Sequence, residues 1–253
     1  MDHELRKRCT SVTQREPILN VPAVVTATIA AFVLVHAGRA WLLSPEEDAE
    51  FLIRFAFIPA RYDTSLLPHE AFPGGTGADI WTFVTYALIH GDLMHLAVNV
   101  IWLLPFGSAV ARRFGPVRFL LFFALTAAAG AAMHLATHTG AFVPMIGASA
   151  SISGFMAAAI RFVFQTGGPL NVFRRDADPQ AYRVPAVPLT AVWHDPRILA
   201  FLGVWFGMNI LFGLGSVAMP GVEQAIAWQA HIGGFLAGLV FFAAFDPVPR
   251  KTA

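Results

Sequence analysis

Four polar side chains stand inside otherwise apolar stretches of this chain. They are His95 and Asn99 in HGDLMHLAVN, Ser149 in PMIGASASISGF and His231 in WQAHIGGFLAG. A serine hydroxyl is a weak nucleophile until a base takes its proton, and a neutral imidazole is the usual base. Ser149 with His231 is therefore the pair that can perform acyl transfer. The oxyanion that develops needs fixed donors, which the Asn99 amide, the His95 ring and the Ser149 backbone N–H can supply. His95 and Asn99 are four apart and share one helix face. Apart from Asp92, near the outer end of its segment, no Asp or Glu falls inside the apolar runs. A carboxylate to orient His231 is not expected, so the chemistry predicts a dyad rather than a triad. Gly234 and Gly238 follow His231 at +3 and +7 and form a GxxxG, which lets a neighbouring helix approach closely.

The elements that carry these residues are apolar. The 253 residues are 56% hydrophobic with a mean hydropathy of +0.60, and only 13% are charged, against about 25% in an ordinary soluble domain. There are too few charges to cover a compact soluble enzyme, and 23 Phe and 6 Trp exclude disorder. A net charge of +1 gives no reason to expect nucleic acid, and Cys9, without a second cysteine, excludes an internal disulfide. The composition predicts an all-α polytopic membrane protein.

Hydropathy places six spans at about 18–43, 81–107, 117–138, 144–165, 198–216 and 224–245, within a single domain 18–245. The first run is too long for a cleaved signal segment, and no small-residue cleavage site ends it. His36 and Arg39 lie near its far end, where long side chains can reach the interface. Residues 44–79 form an outer loop that opens with Ser44-Pro45-Glu46-Glu47, a capping-box signature, followed by an amphipathic stretch too short to span. Residues 166–197 form a second polar loop, and 1–17 and 246–253 are tails. Of the 17 basic residues, only Arg39, Arg54 and Arg61 fall on the loop-1 side of this arrangement. By the positive-inside rule both termini are then cytoplasmic. The second, fourth and sixth spans run in the same direction, so His95, Ser149 and His231 lie at similar depth below the outer surface.

Each residue also has a plainer use. Ser149 alone reads as a small residue at a helix contact, His231 as an interhelical donor, and His95 and Asn99 as polar glue. Gly203 and Gly207 in the fifth span read as a packing GxxxG, and Asn209 as an interhelical contact. His134 and His138, with His90, are the nearest approach to a metal site. The HExxH pattern is absent, and no metal is expected.

Together the motifs resemble those of the rhomboid intramembrane serine proteases. HGDLMHLAVN resembles the family's HxxxN, GASASISG its serine motif, and AHIGGFLAG its AHxxGxxxG; FAFIPARY and WTFVTY also resemble family sequence. The resemblance implies a six-transmembrane-helix bundle with an amphipathic first loop, in the plasma membrane. It implies a serine-type endopeptidase that cleaves transmembrane segments of other membrane proteins near the outer leaflet. Ser149 is then the nucleophile, His231 the base, and His95, Asn99 and the Ser149 N–H the oxyanion donors. His90 is implied to be structural, with Gly147, Gly234 and Gly238 shaping the site. No cofactor is implied, and the partners are transmembrane substrates and the lipid bilayer. Three positions depart from the family pattern: Ala150 follows the serine in place of Gly, Trp81-Thr82 replaces Trp-Arg, and Ser153 replaces an aromatic residue. The competing functions are an inactive rhomboid-like protein that binds membrane clients, and a proton-coupled transporter with His95 and His231 as relays. Intact Ser149 and His231 argue against the first, and the scarcity of buried carboxylates against the second.

Overall fold

A computed structural model of the chain describes residues 20–66, 68, 72–170, 179–213 and 227–249. The expected tail 1–17, residues 250–253 of the last tail, Arg174 and Arg175 of the second loop, and the parts 214–216 and 224–226 of the fifth and sixth expected spans lie outside them. The described residues form nine α-helices: α1 Ala23–Leu42, α2 Pro45–Phe55, α3 Gly75–Thr85, α4 Leu93–Phe114, α5 Pro116–Thr137, α6 Ser149–Ala159, α7 Leu189–Val192, α8 Pro196–Gly213 and α9 Trp228–Phe245. Among these residues no β-strand forms; one isolated antiparallel bridge joins Phe57 to Met145.

Four helices, α1, α4, α5 and α9, are long and apolar enough to cross a membrane; α6 is apolar but shorter, and the stretch Pro196–Leu211 of α8 is apolar. In α6 every residue from Ala150 to Ala159 is buried. Its 11 residues rise about 16 Å, roughly half a bilayer, so α6 is a short post enclosed by longer neighbours. α9 packs most extensively on α5 and α6.

The structure corrects the boundaries of two expected spans. The second is interrupted: α3 ends in a 3₁₀ turn at Tyr86–Leu88, Ile89 is extended, and a new helix starts at Leu93. Asp92 causes the restart, because its carboxylate accepts the His95 backbone N–H at 2.7 Å and caps α4. The fourth helix begins at Ser149 rather than near Pro144. Gly147, at φ +112°, breaks helical geometry just before it. The irregular backbone there is satisfied from other segments. Met145 and Phe57 exchange N–H···O bonds of 2.8 and 3.1 Å, and the Gly147 N–H donates to the Tyr86 carbonyl at 3.0 Å. Non-helical backbone at membrane depth requires such enclosure.

Arg39 does not reach outward to an interface as its position suggested. It forms a bidentate pair with Asp48 at the start of α2 (2.7 and 2.9 Å) and donates to the His90 carbonyl at 2.9 Å. The same carbonyl is approached by the His36 ring at 3.2 Å. These contacts tie α1 and α2 to the turn before α4. The capping box at Ser44 and Glu47 forms as the sequence predicts.

The opposite end of the bundle is closed by Arg113. Its guanidinium is fully buried, pairs with Asp246 (2.9 and 2.8 Å), and donates to the Tyr182 and Val184 carbonyls at 2.8 and 2.9 Å. Arg161 just past α6 donates to the Val187 carbonyl at 2.8 Å. These arginines, which the sequence reading places at a loop boundary, therefore stitch the ends of α4, α6 and α9 to the second loop.

Candidate active site

The first turns of α4, α6 and α9 meet at the other end of the bundle. Two glycines on α9 set the spacing. A Cβ on Gly234 would land on the Ala150 carbonyl group, and one on Gly238 on the Gly154 carbonyl group. The small residues Ala150 and Gly154 on α6 thus face Gly234 and Gly238 on α9, backbone against backbone. Both pairs are spaced i, i+4, so the helices run parallel through this contact. Gly233 turns the neighbouring face of α9 onto α5, where its Cβ would meet the Ala129 carbonyl oxygen at 2.6 Å.

This close approach brings Ser149, one residue before Ala150, opposite His231, three before Gly234. The Ser149 Oγ and the His231 Nε2 are 2.7 Å apart. Both residues are half-buried rather than sealed. Ser149 is also the first residue of α6, where backbone N–H groups have no intrahelical acceptor. The positive end of the helix dipole therefore lies where an oxyanion would form.

The second donor set is arranged less directly. Asn99 is buried, its Nδ2 donates to the His95 backbone carbonyl at 2.8 Å, and its Oδ1 has no partner. The His95 ring lies against Gly147, where a Cβ would stand 2.5 Å from its Nε2. Gly147 is thus required twice, for its positive φ and for the room it leaves His95. His90 is fully buried, with its ring 4.9 Å from that of Phe32 and 5.2 Å from that of His95. It sits as a wedge between α1 and the start of α4.

The three departures from the family pattern each have a local account. The Ala150 methyl lies where Gly130 of α5 leaves space; a Cβ on Gly130 would be 2.5 Å from it. Thr82 is buried and hydrogen-bonds the Tyr62 hydroxyl (2.8 Å) and the Ala78 carbonyl (2.7 Å). The Ser153 hydroxyl turns back to the Ser149 carbonyl at 2.8 Å.

One contact was not expected. The His231 Nδ1 lies 2.5 Å from the Oδ1 of Asn209 on α8, so a third side chain adjoins the pair. A polar residue on an apolar helix was visible in the sequence, but its partner depends on how α8 meets α9. Gly203 and Gly207 correct another expectation, since a Cβ at either would meet nothing within 4 Å. Among the described residues that GxxxG packs against no helix. His134 and His138 stack with ring centroids 4.2 Å apart, and among the described residues no group of three metal-ligating side chains converges.

A family model described as a rhomboid domain matches residues 77–246, well over half of the chain, including His90, His95, Asn99, Ser149, Asn209 and His231. The chain belongs to the rhomboid family. It is 23% identical to RHOMBOID-like protein 4 of Arabidopsis thaliana over 87% of this chain and 50% of that protein. It is 26% identical to RHOMBOID-like protein 1 of the same plant over 55% of this chain and 38% of that protein. With the rhomboid protease GlpG of Haemophilus influenzae it shares 23% identity over 65% of this chain and 69% of that protein. The chain spans about half or less of the length of the two plant relatives. As a rhomboid with several apolar helices it is a multi-pass membrane protein.

Proposed function

We propose that this rhomboid is an active intramembrane serine endopeptidase working through Ser149 and His231. The observation that carries the proposal is the 2.7 Å contact between the Ser149 hydroxyl and the His231 Nε2, within hydrogen-bond range for direct proton transfer.

Ser149 Oγ attacks the scissile carbonyl carbon as its proton passes to His231. The tetrahedral intermediate collapses, the C–N bond breaks, and His231 returns the proton to the leaving amine. Water then attacks the acyl ester, gives its proton to His231, and releases the carboxylate with Ser149 restored. The first-turn N–H groups of α6 face the developing oxyanion. Asn99 contributes without giving up its bond to the His95 carbonyl, because its amide nitrogen carries two hydrogens and one remains free. The His95 ring lines the same side.

The chain crosses the plasma membrane six times in this reading, with α6 and α8 supplying the remaining two spans and both termini cytoplasmic. α2 lies along the outer surface. The substrates are transmembrane segments of other membrane proteins, cut near the outer leaflet. A helix keeps its carbonyls in its own hydrogen bonds, so a substrate must unwind locally before attack.

The second reading, a client-binding protein without activity, is tested by the same experiment. Purified protein in liposomes should cleave a model transmembrane substrate, and Ser149→Ala should abolish cleavage. Cleavage that persists in Ser149→Ala removes Ser149 from the nucleophile's role. No cleavage by the parent protein, with a fluorophosphonate failing to label Ser149, favours the client-binding reading.

A further inference from the structure

We infer that Asn209 is a positioning residue that holds His231 in the one tautomer able to take the Ser149 proton. The inference rests on the reading of Ser149 and His231 given above and adds a member to their constellation.

The argument follows the hydrogen bonds around one amide. Asn209 is buried in α8, and its Nδ2 donates to the Trp205 backbone carbonyl at 2.8 Å. A carbonyl accepts only, so the nitrogen of the amide must face Trp205. The Oδ1 is thereby committed to the other side, where the His231 Nδ1 stands 2.5 Å away. An acceptor at that distance requires a proton on Nδ1. In neutral imidazole the second nitrogen then has a free lone pair, and that nitrogen, Nε2, is the one 2.7 Å from the Ser149 hydroxyl. The opposite tautomer would set two lone pairs against each other at Asn209 and leave Nε2 nothing with which to accept.

Asn209 therefore does through an amide what a buried carboxylate does elsewhere. It does so without placing a second full charge in the bilayer, where charge is costly. Its carbonyl dipole also stabilises the imidazolium that forms once His231 has taken the proton. Among the described residues no aromatic ring packs on His231, and Ser153 bonds the Ser149 carbonyl instead. The orientation of the imidazole thus depends on its two hydrogen bonds, one to each side.

The test uses the full chain in liposomes with a model transmembrane substrate, measuring kcat and KM between about pH 5 and 9. Asn209→Leu keeps the volume and removes the acceptor. It should lower kcat roughly 10- to 100-fold with KM within about twofold. Asn209→Asp keeps an acceptor toward Nδ1 and adds charge. It should retain more activity than the leucine variant, and the acid limb of its profile should move to higher pH, because a neighbouring carboxylate raises the pH at which the base is lost to protonation. Nitrogen NMR of the wild-type His231 ring, assigned by its loss in His231→Ala, should report the proton on Nδ1, which keeps the inference testable if a variant misfolds. Full kcat in Asn209→Leu, or equal losses in both variants with an unmoved acid limb, would overturn the inference and leave Asn209 a packing residue. So would a ring protonated on Nε2. These results, with cleavage still abolished by Ser149→Ala, overturn the inference alone. Cleavage surviving Ser149→Ala overturns the dyad and the inference together.

Discussion

The backbone contact between α6 and α9 makes Gly234→Ala an informative perturbation. The added Cβ would stand 2.7 Å from the Ala150 carbonyl carbon and 3.1 Å from its Cα. The Ala150 carbonyl oxygen would be nearer still, and ordinary contact begins near 3.4 Å, so the helices must part by more than about 0.7 Å. Neither neighbour can yield alone, because both are helix backbone. His231 lies one turn from Gly234, and the same movement stretches its 2.7 Å contact with Ser149 beyond about 3.4 Å, past the usual hydrogen-bond range. A misplacement of that order costs up to about 100-fold in rate, and the overpacking costs about 1–3 kcal/mol in stability. The assay is cleavage of a transmembrane substrate in liposomes, alongside thermal unfolding and the rate of fluorophosphonate labelling at Ser149. Gly203→Ala is the control, since its Cβ meets nothing within 4 Å. It should leave turnover unchanged and stability unchanged or raised by up to about 1 kcal/mol. Wild-type turnover and an unmoved unfolding midpoint in Gly234→Ala would refute the contact and the account of how the pair is spaced.

Two further outcomes follow from the same geometry. Gly130→Ala should destabilise the protein, because its Cβ would sit 2.5 Å from the Ala150 Cβ and 3.0 Å from the Ala230 carbonyl oxygen. Adding Ala150→Gly should recover part of the loss, by roughly 1 kcal/mol in a double-mutant cycle of thermal unfolding, and strict additivity would argue against the pairing. Asn99→Ala should slow cleavage by up to about 10²–10³-fold with only a modest fall in the unfolding midpoint, since it removes the single Nδ2 bond to the His95 carbonyl while the Oδ1 has no partner to lose; unchanged turnover assigns Asn99 to packing.

Much of this architecture was legible in the sequence because it depends on local pattern. The apolar runs of α1, α5 and α9 and the capping box at Ser44 are read from composition and spacing alone. The breaks in the second and fourth spans were not, because hydropathy does not register them. His90 and Gly91 are compatible with an apolar run, and only the Asp92 cap and the tertiary bonds around Gly147 reveal where a helix must restart. Gly203 and Gly207 carry the same caution in reverse: a spacing that permits close approach does not supply a helix to approach. The motifs singled out Ser149 and His231, whose side chains lie 2.7 Å apart because both stand at fixed offsets from small residues that pack together. Asn209 was visible as a polar residue but not as a partner, because its contact depends on the placement of α8 beside α9. Arg113 was counted only for its charge, although burial makes it a structural joint.

That joint gives the molecule a spine. One end of the bundle is fastened by a guanidinium with carbonyl and carboxylate oxygens gathered around it; at the end bearing Ser149 and His231, Arg39 fastens α1 and α2 to the turn before α4, while α6 and α9 meet there through glycine contacts and the Ser149–His231 bond. Like the leaves of a bound book, α6 and α9 carry their charged fastening along one edge only. In the proposed protease, a guest strand entering between these two helices would meet the uncharged edge first, and the joint at the far margin would keep them together.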